Sequence, residues 1–187
     1  MKKLILSFAI LTCSLAVPQM TLAQENNVKI NIFSPLLRTL NLQYERALNE
    51  NSSFQLGFFY TGASIQDTRL SGFGITPEYR FYLSETDAPE GFYLAPYLRY
   101  SSLTGTAPTI NNNGNEVDAK ATVSSFGGGL VIGKQWIFKE RIVLNIFAGP
   151  SYSSSSADYD SGNEDNFDFG SFSGFSARGG VCLGIAF

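Results

Sequence analysis

The residues able to do chemistry are few, and they lack a base. The 187-residue chain contains no histidine. The run "SYSSSS" (151–156) offers hydroxyl groups, but with no imidazole to accept a proton a Ser-His arrangement is excluded. Glu45 and Glu78 are the carboxylates that could form an acid/base pair. Each sits in a segment that also carries arginine, "LNLQYER" and "GITPEYRFYL", so pairing with cations accounts for them better than catalysis. The stretch "ADYDSGNEDNFD" gathers Asp158, Asp160, Glu164, Asp165 and Asp168, oxygen donors that suit calcium or magnesium. Their spacing does not match an EF-hand, and a solvated acidic loop is the expectation. Gly127, Gly128 and Gly129 are not followed by Lys-Ser/Thr and so form no phosphate loop. No catalytic, cofactor-binding or metal-ligating residue is expected, and the reading is non-enzymatic.

The elements that must position these residues follow from the chain's compartment. Met1 to Ala23 has Lys2 and Lys3, then the apolar run "LILSFAILTCSLAV", then small residues at Thr21 and Ala23 before Gln24. This is the order of a secretory signal peptide over 1–23. Cys13 lies inside the apolar run without the small residue that lipidation wants before it. Residues 24–187 then form one domain. Removing the two lysines leaves 11 basic against 16 acidic residues, a net charge of −5. No basic cluster follows residue 3, so no nucleic acid partner is expected. Cys182 alone would survive cleavage, so no internal disulfide forms.

No later stretch approaches the roughly 20 apolar residues of a membrane helix. An exported chain that enters lipid must then do so as a closed barrel, the other structure that satisfies every backbone hydrogen bond there. Alternation of side chains with period two is the test. "NVKINIF" sets Val28, Ile30 and Ile32 against Lys29 and Asn31. "FQLGFFY" sets Phe54, Leu56 and Phe58 against Gln55 and Gly57. "FYLAPYLRY" sets Phe92, Leu94 and Leu98 against Tyr93, Ala95 and Arg99. Eight such segments, about ten residues each, fit strands tilted across a membrane. In the glycine-rich sixth, Phe126, Leu130 and Ile132 are favoured outward. Short links are expected at 34–39, 48–52, 84–90 and 137–141, and longer ones at 62–70, 105–119 and 153–169, a meander whose termini would both be periplasmic. Pro77, Pro96 and Pro150 demand bulges or gaps in the ladders.

The fold class is therefore all-β, a single eight-stranded antiparallel up-and-down transmembrane β-barrel preceded by a signal peptide. Lys29, Glu45, Glu78, Arg80, Arg99 and Arg178 all take the parity opposite to the apolar residues. A barrel of eight strands is just wide enough for side chains to fill it, so these six are expected to form an interior ionic network that plugs it. Tyr82, Phe92, Trp136, Phe138 and Phe187 would line one membrane interface, and Tyr60, Phe73, Tyr100, Tyr152 and Phe172 the other. Two other readings share the pattern: a narrow outer-membrane pore, and a secreted lipocalin-like carrier whose apolar face would enclose a ligand.

The closing segment "GFSARGGVCLGIAF" puts Val181, Leu183, Ile185 and Phe187 on one face. Such an alternation ending in phenylalanine resembles the C-terminal assembly signal that barrel-insertion machinery reads in bacterial outer-membrane proteins. Through "VKINIFSPLL", "LNLQYERAL", "GITPEYRFYL", "FYLAPYLRY", "GLVIGKQWIF" and "IFAGPSY", residues 24–187 resemble a family of small outer-membrane barrels of unknown function found in Bacteroidota. The likeness to the OmpA membrane domain and to OmpX is architectural. The resemblance implies residence in the outer membrane of a Gram-negative bacterium, with lipid, lipopolysaccharide and the assembly machinery as partners. It implies no activity, cofactor or named extracellular partner. Divalent bridging to lipopolysaccharide would be the secondary role of the acidic loop.

Overall fold

The structure, a computed structural model, describes residues 25–65, 68–110, 116–161 and 173–187. Eight strands follow one another around a closed antiparallel barrel: β1 (Asn26–Asn31), β2 (Thr39–Asn49), β3 (Ser52–Ile65), β4 (Thr68–Tyr82), β5 (Gly91–Ile110), β6 (Glu116–Phe138), β7 (Ile142–Ser161) and β8 (Gly174–Ala186). Each strand pairs with its sequence neighbour, and β8 closes on β1 through Asn27–Ala186 to Asn31–Cys182. No helix among the described residues is long and apolar enough to cross a membrane. Both strands that close the barrel meet at one rim, where Asn26 and Phe187 exchange backbone hydrogen bonds of 3.2 and 2.9 Å. That rim, called here the terminal end, also carries the β2–β3, β4–β5 and β6–β7 links.

Alternation sorts the side chains as the period-two pattern requires. Ile30, Leu42, Leu56, Phe58, Ile146 and Leu183 point outward and are exposed, while Lys29, Gln43, Glu45, Gln55, Arg80 and Asn145 on the same strands are buried in the lumen. The glycine-rich sixth strand follows suit. Phe126, Leu130 and Ile132 are outward, and Val131 and Gln135 are fully buried. Its glycines have a packing reason. Tyr93 lies directly across from Gly133, Tyr97 from Gly129, Phe147 from Gly180 and Phe59 from Gly74. Each of these four inward aromatics thus covers a glycine on the next strand, which lets the rings fit inside a narrow barrel.

The strands run from 6 to 23 residues, where about ten were expected. Segments 62–70 and 105–119, read as loops, are largely strand: β5 and β6 remain paired as far as Ile110–Glu116, and β6 and β7 as far as Lys120–Ser161. In these extensions the outer face turns polar, as at Lys120 and Thr122, while the inner face carries Ala119, Ala121 and Val123, so the outward apolar alternation does not continue. Their pairing is helped by cross-strand hydroxyl contacts, Thr104–Thr122 at 3.0 Å and Ser125–Ser155 at 2.6 Å. The short link at 34–39 contains a single 3₁₀ turn, Ser34–Leu37.

Three of the four prolines in the described strands fall where a ladder lapses, and the fourth, Pro108, stays in register with Asp118. Pairing of β4 with β5 stops at Ile75–Tyr100, resumes at Glu78–Tyr97 and stops again before Phe81–Leu94, which takes in Pro77 and Pro96. Pairing of β6 with β7 skips from Gly129–Ser151 to Ile132–Ala148, beside Pro150. The register is unchanged across each interval, so these are gaps rather than bulges. At the β6–β7 turn Lys139 and Glu140 both have positive φ, 52° and 58°. Two successive residues of this kind make the tight hairpin whose twist matches that of its strands.

Candidate functional site

The lumen divides into two layers, and the layer toward the terminal end is filled. β1 supplies Lys29, β2 Glu45, β3 Ser53, β4 Glu78, Arg80 and Tyr82, and β6 Gln135, all aimed at the barrel axis by strand parity. The Glu45 carboxylate forms an ion pair with Lys29 and another with Arg80 at 3.2 Å. It also accepts hydrogen bonds from Ser53, from the Tyr82 hydroxyl at 2.6 Å and from Gln135 Nε2 at 3.1 Å. Gln135 Oε1 in turn accepts from Lys29 Nζ at 2.7 Å and from Arg80 Nη1 at 3.2 Å. Side chains of Lys29, Glu45 and Arg80 are completely buried. Five donors on one carboxylate make up for the hydration it gives up.

A second carboxylate links this cluster to mid-barrel. Glu78 accepts from Arg80 Nε at 2.7 Å and from Arg178 Nη1 at 2.8 Å. Aromatic faces cover both guanidinium groups: Arg80 lies 4.3 Å from the Tyr93 ring centre, and Arg178 lies 4.3 Å from that of Tyr97 and 4.9 Å from that of Phe147. Tyr93 is fixed by donating to Asn145 at 2.9 Å. Across from Tyr93, a Cβ added at Gly133 would overlap the ring. Gly133→Val is therefore expected to push Tyr93 off Arg80 and lower stability by about 1–3 kcal/mol, as overpacking does. A denaturant midpoint equal to that of the unsubstituted barrel would show that the ring is free to yield.

The β4–β5 link completes the closure. Ala88 and Pro89 are buried beneath the terminal rim, Ala88 N donates to the Glu50 carbonyl at 2.8 Å, and Gln135 Nε2 donates to the Pro89 carbonyl. The chain itself thus lies across that mouth of the lumen.

Five of the six charged residues expected in the interior network, Lys29, Glu45, Glu78, Arg80 and Arg178, are joined by ion pairs. Arg99 is the exception. Its Nε donates to Thr76 Oγ1 at 3.1 Å and its guanidinium lies 5.5 Å from the Phe59 ring, with no carboxylate within ion-pair distance among the described residues. Arg99 stands two residues along β5 from Tyr97, the register partner of Glu78, but Glu78 is taken by Arg80 and Arg178 and Arg99 bonds to Thr76 instead. Tyr82 also differs: counted with an interfacial belt from its aromatic type, it faces inward and serves Glu45. Its parity with Glu78 and Arg80 was the available signal. Gln135, Ser53 and the Pro89 carbonyl were not anticipated. Parity with Val131 could have found Gln135, whereas nothing local marks Ser53 or Pro89 as partners of residues 8 and 46 positions away.

The remaining candidates lie outside this cluster. Strand β7 divides the serine run, with Ser151, Ser153 and Ser155 on the lumen side and Ser154 and Ser156 outward. Among the described residues no group of three or more metal-binding side chains comes together. Asp158 is outward and exposed, while Glu164, Asp165, Asp168, Phe172 and residues 1–23, where a leader is expected, lie outside the described residues. On β8, Leu183, Ile185 and Phe187 are exposed on the outer face and Val181 is half-buried on the same face.

Residues 7–168, which include β1 to β7, match the family described as "Protein of unknown function (DUF3575)". The chain belongs to the DUF3575 family. No curated protein sequence matches it. Among solved structures it is similar to the N-terminal β-barrel domain of Pseudomonas aeruginosa OprF, with 15% identity over 88% of this chain and 98% of that one and a TM-score of 0.38. Acinetobacter baumannii CarO2 is similar at 12% identity, covering 87% and 97% of the two chains with a TM-score of 0.42. CarO of the same organism is similar at 9% identity, covering 89% and 98% with a TM-score of 0.45. No residue role or activity passes from these proteins to this DUF3575 chain.

Proposed function

We propose that this protein is a non-enzymatic outer-membrane barrel with a lumen closed by its own side chains, serving as a structural or cell-surface interaction protein. The observation that carries the reading is the fully buried Lys29–Glu45–Arg80–Gln135 cluster beneath the Ala88–Pro89 link. A permeation path would need water at this level, where Lys29, Glu45, Arg80 and Gln135 bond to one another and Gln135 to the link, leaving Arg80 Nη2 as the atom of these four without a described partner. Ser53 next to Glu45 is equally enclosed, so that hydroxyl–carboxylate pair has no room for a substrate.

Residence in the outer membrane of a Gram-negative bacterium, of the Bacteroidota kind that the resemblance names, is supported by the apolar outer face. Residues such as Leu56, Ile75, Leu98 and Leu130 are exposed on consecutive strands, and a continuous greasy belt of that kind is untenable in water. The same sorting speaks against a lipocalin-like carrier, in which the apolar face encloses the ligand. In this reading a secretory leader at 1–23 exports the chain, both barrel termini face the periplasm, and lipid and lipopolysaccharide surround it. The outer face of β8, Val181, Leu183, Ile185 and Phe187, is the surface assigned to the barrel-assembly machinery.

Planar-bilayer recording of the refolded protein tests the closed lumen. The expected result is no stable open level above that of the bare membrane. A steady ion-selective current from the unsubstituted protein would replace this reading with that of a narrow pore.

A further inference from the structure

The half of the lumen away from the terminal end is built differently. Two adjoining cavities, about 240 and 140 Å³, share Arg99, Ser151 and Ser176 in their walls. Arg178 lines the larger one, with Asn31, Asn41 and Gln43, while Ser101, Ser125 and Ser153 line the smaller. Among the described residues no carboxylate borders either. Both spaces far exceed the roughly 10–15 Å³ that one water needs.

Charge in the lumen does not balance. Among the described residues that face inward, Lys29, Arg80, Arg99 and Arg178 stand against Glu45 and Glu78. Lys29 and Arg80 are absorbed by Glu45 and half of Glu78, so the excess lies at the level of Arg99 and Arg178. Among the described residues Arg178 makes one ion pair, through Nη1, and Arg99 donates through Nε to a threonine hydroxyl. The forks of both guanidiniums are left with donors directed at a polar cavity. An unbalanced charge enclosed by a low-dielectric wall raises the energy of the empty site and favours an ion of opposite sign. Guanidinium forks match the planar or tetrahedral oxygens of carboxylate, phosphate and sulfate, and serine hydroxyls donate to the same oxygens.

We propose that Arg99 and Arg178, with Ser151 and Ser176, form a binding site for a small oxyanion in the open half of the barrel lumen. The ligand class is a phosphate, a sulfate or a compact carboxylate, entering from the rim opposite the chain termini. The site is separate from the Glu45 cluster and does not depend on whether the barrel conducts.

The test is an NMR titration of the refolded, leader-free barrel in a phosphate-free detergent. Inorganic phosphate, sulfate and acetate are added in turn, with sodium chloride at matched ionic strength as the control. The expected result is saturable movement of the Arg99 and Arg178 side-chain Nε–H signals and of the Ser151 and Ser176 amides, with chloride much weaker than at least one oxyanion. Arg99→Gln is expected to weaken the half-saturation about tenfold or more, and Arg99→Lys, which keeps the charge but loses the fork, to fall between. Because Arg99 makes no ion pair, neither variant should unfold the barrel, and an unchanged amide spectrum elsewhere checks this. Shifts that track ionic strength equally for every salt, or that persist in Arg99→Gln, would overturn the proposal.

Discussion

Glu45→Gln is expected to lower the unfolding free energy of the barrel by roughly 3–5 kcal/mol, the cost typical of removing one partner from a buried ion pair. The substitution keeps the shape and removes the charge, so lost packing contributes little. What remains is Lys29 and Arg80, both fully buried, with Gln135 unable to neutralise either. Arg80 keeps Glu78, but Lys29 has no other carboxylate in ion-pair contact among the described residues. Urea unfolding in lipid vesicles, followed by fluorescence of Trp136, the single tryptophan, measures the change. Adding Lys29→Met should recover part of the loss, because removing both partners is cheaper than removing one. A loss below about 1 kcal/mol for Glu45→Gln would mean that water reaches the cluster, since exposed pairs contribute little.

Leu56→Arg carries the second large effect. Leu56 is outward and flanked by outward Tyr44 and Pro77 on the adjoining strands, within the apolar belt. An arginine on the lipid-facing surface near the bilayer midplane costs about 2–4 kcal/mol, falling to about 0–1 near an interface. Leu48, beside the β2–β3 turn, is the control for depth. Leu48→Arg should therefore be nearly silent in the same vesicles. Equal effects at both sites would contradict a belt with a hydrophobic middle.

Much of this arrangement is legible in the amino-acid order, and the reason is the strictness of strand parity. Lys29, Glu45, Glu78, Arg80 and Arg178 share the face opposite to the apolar residues, and a small barrel forces that face inward. Which inward residues meet is another matter. Lys29 reaches Gln135, 106 positions away, because closure of β8 on β1 and the stagger of eight strands bring them to one level. Arg99 has the same parity and lies one inward position from Glu78, but Arg80 and Arg178 already hold that carboxylate, and parity does not say which arginine wins it. Strand length was hidden for a related cause: beyond the exposed apolar belt the outer face of β6 turns polar and small residues such as Ala119, Ala121 and Val123 face inward, so pairing continues where the outward apolar alternation ends. Tucking of Ala88 and Pro89 under the rim is a tertiary event, set by the room left above Gln135 rather than by any turn signal.

Accessibility of single nitroxide labels along β3 tests the central claim most directly. On a Cys182→Ser background, labels at 54 to 60 are read in lipid vesicles against oxygen, which concentrates in lipid, and against a water-soluble nickel chelate. Positions 54, 56, 58 and 60 are expected to collide with oxygen and be shielded from nickel, with 55, 57 and 59 shielded from both. Nickel contact at the even positions, or oxygen contact that does not alternate, would show that the apolar face does not look into lipid and that the charged side chains are not sealed within.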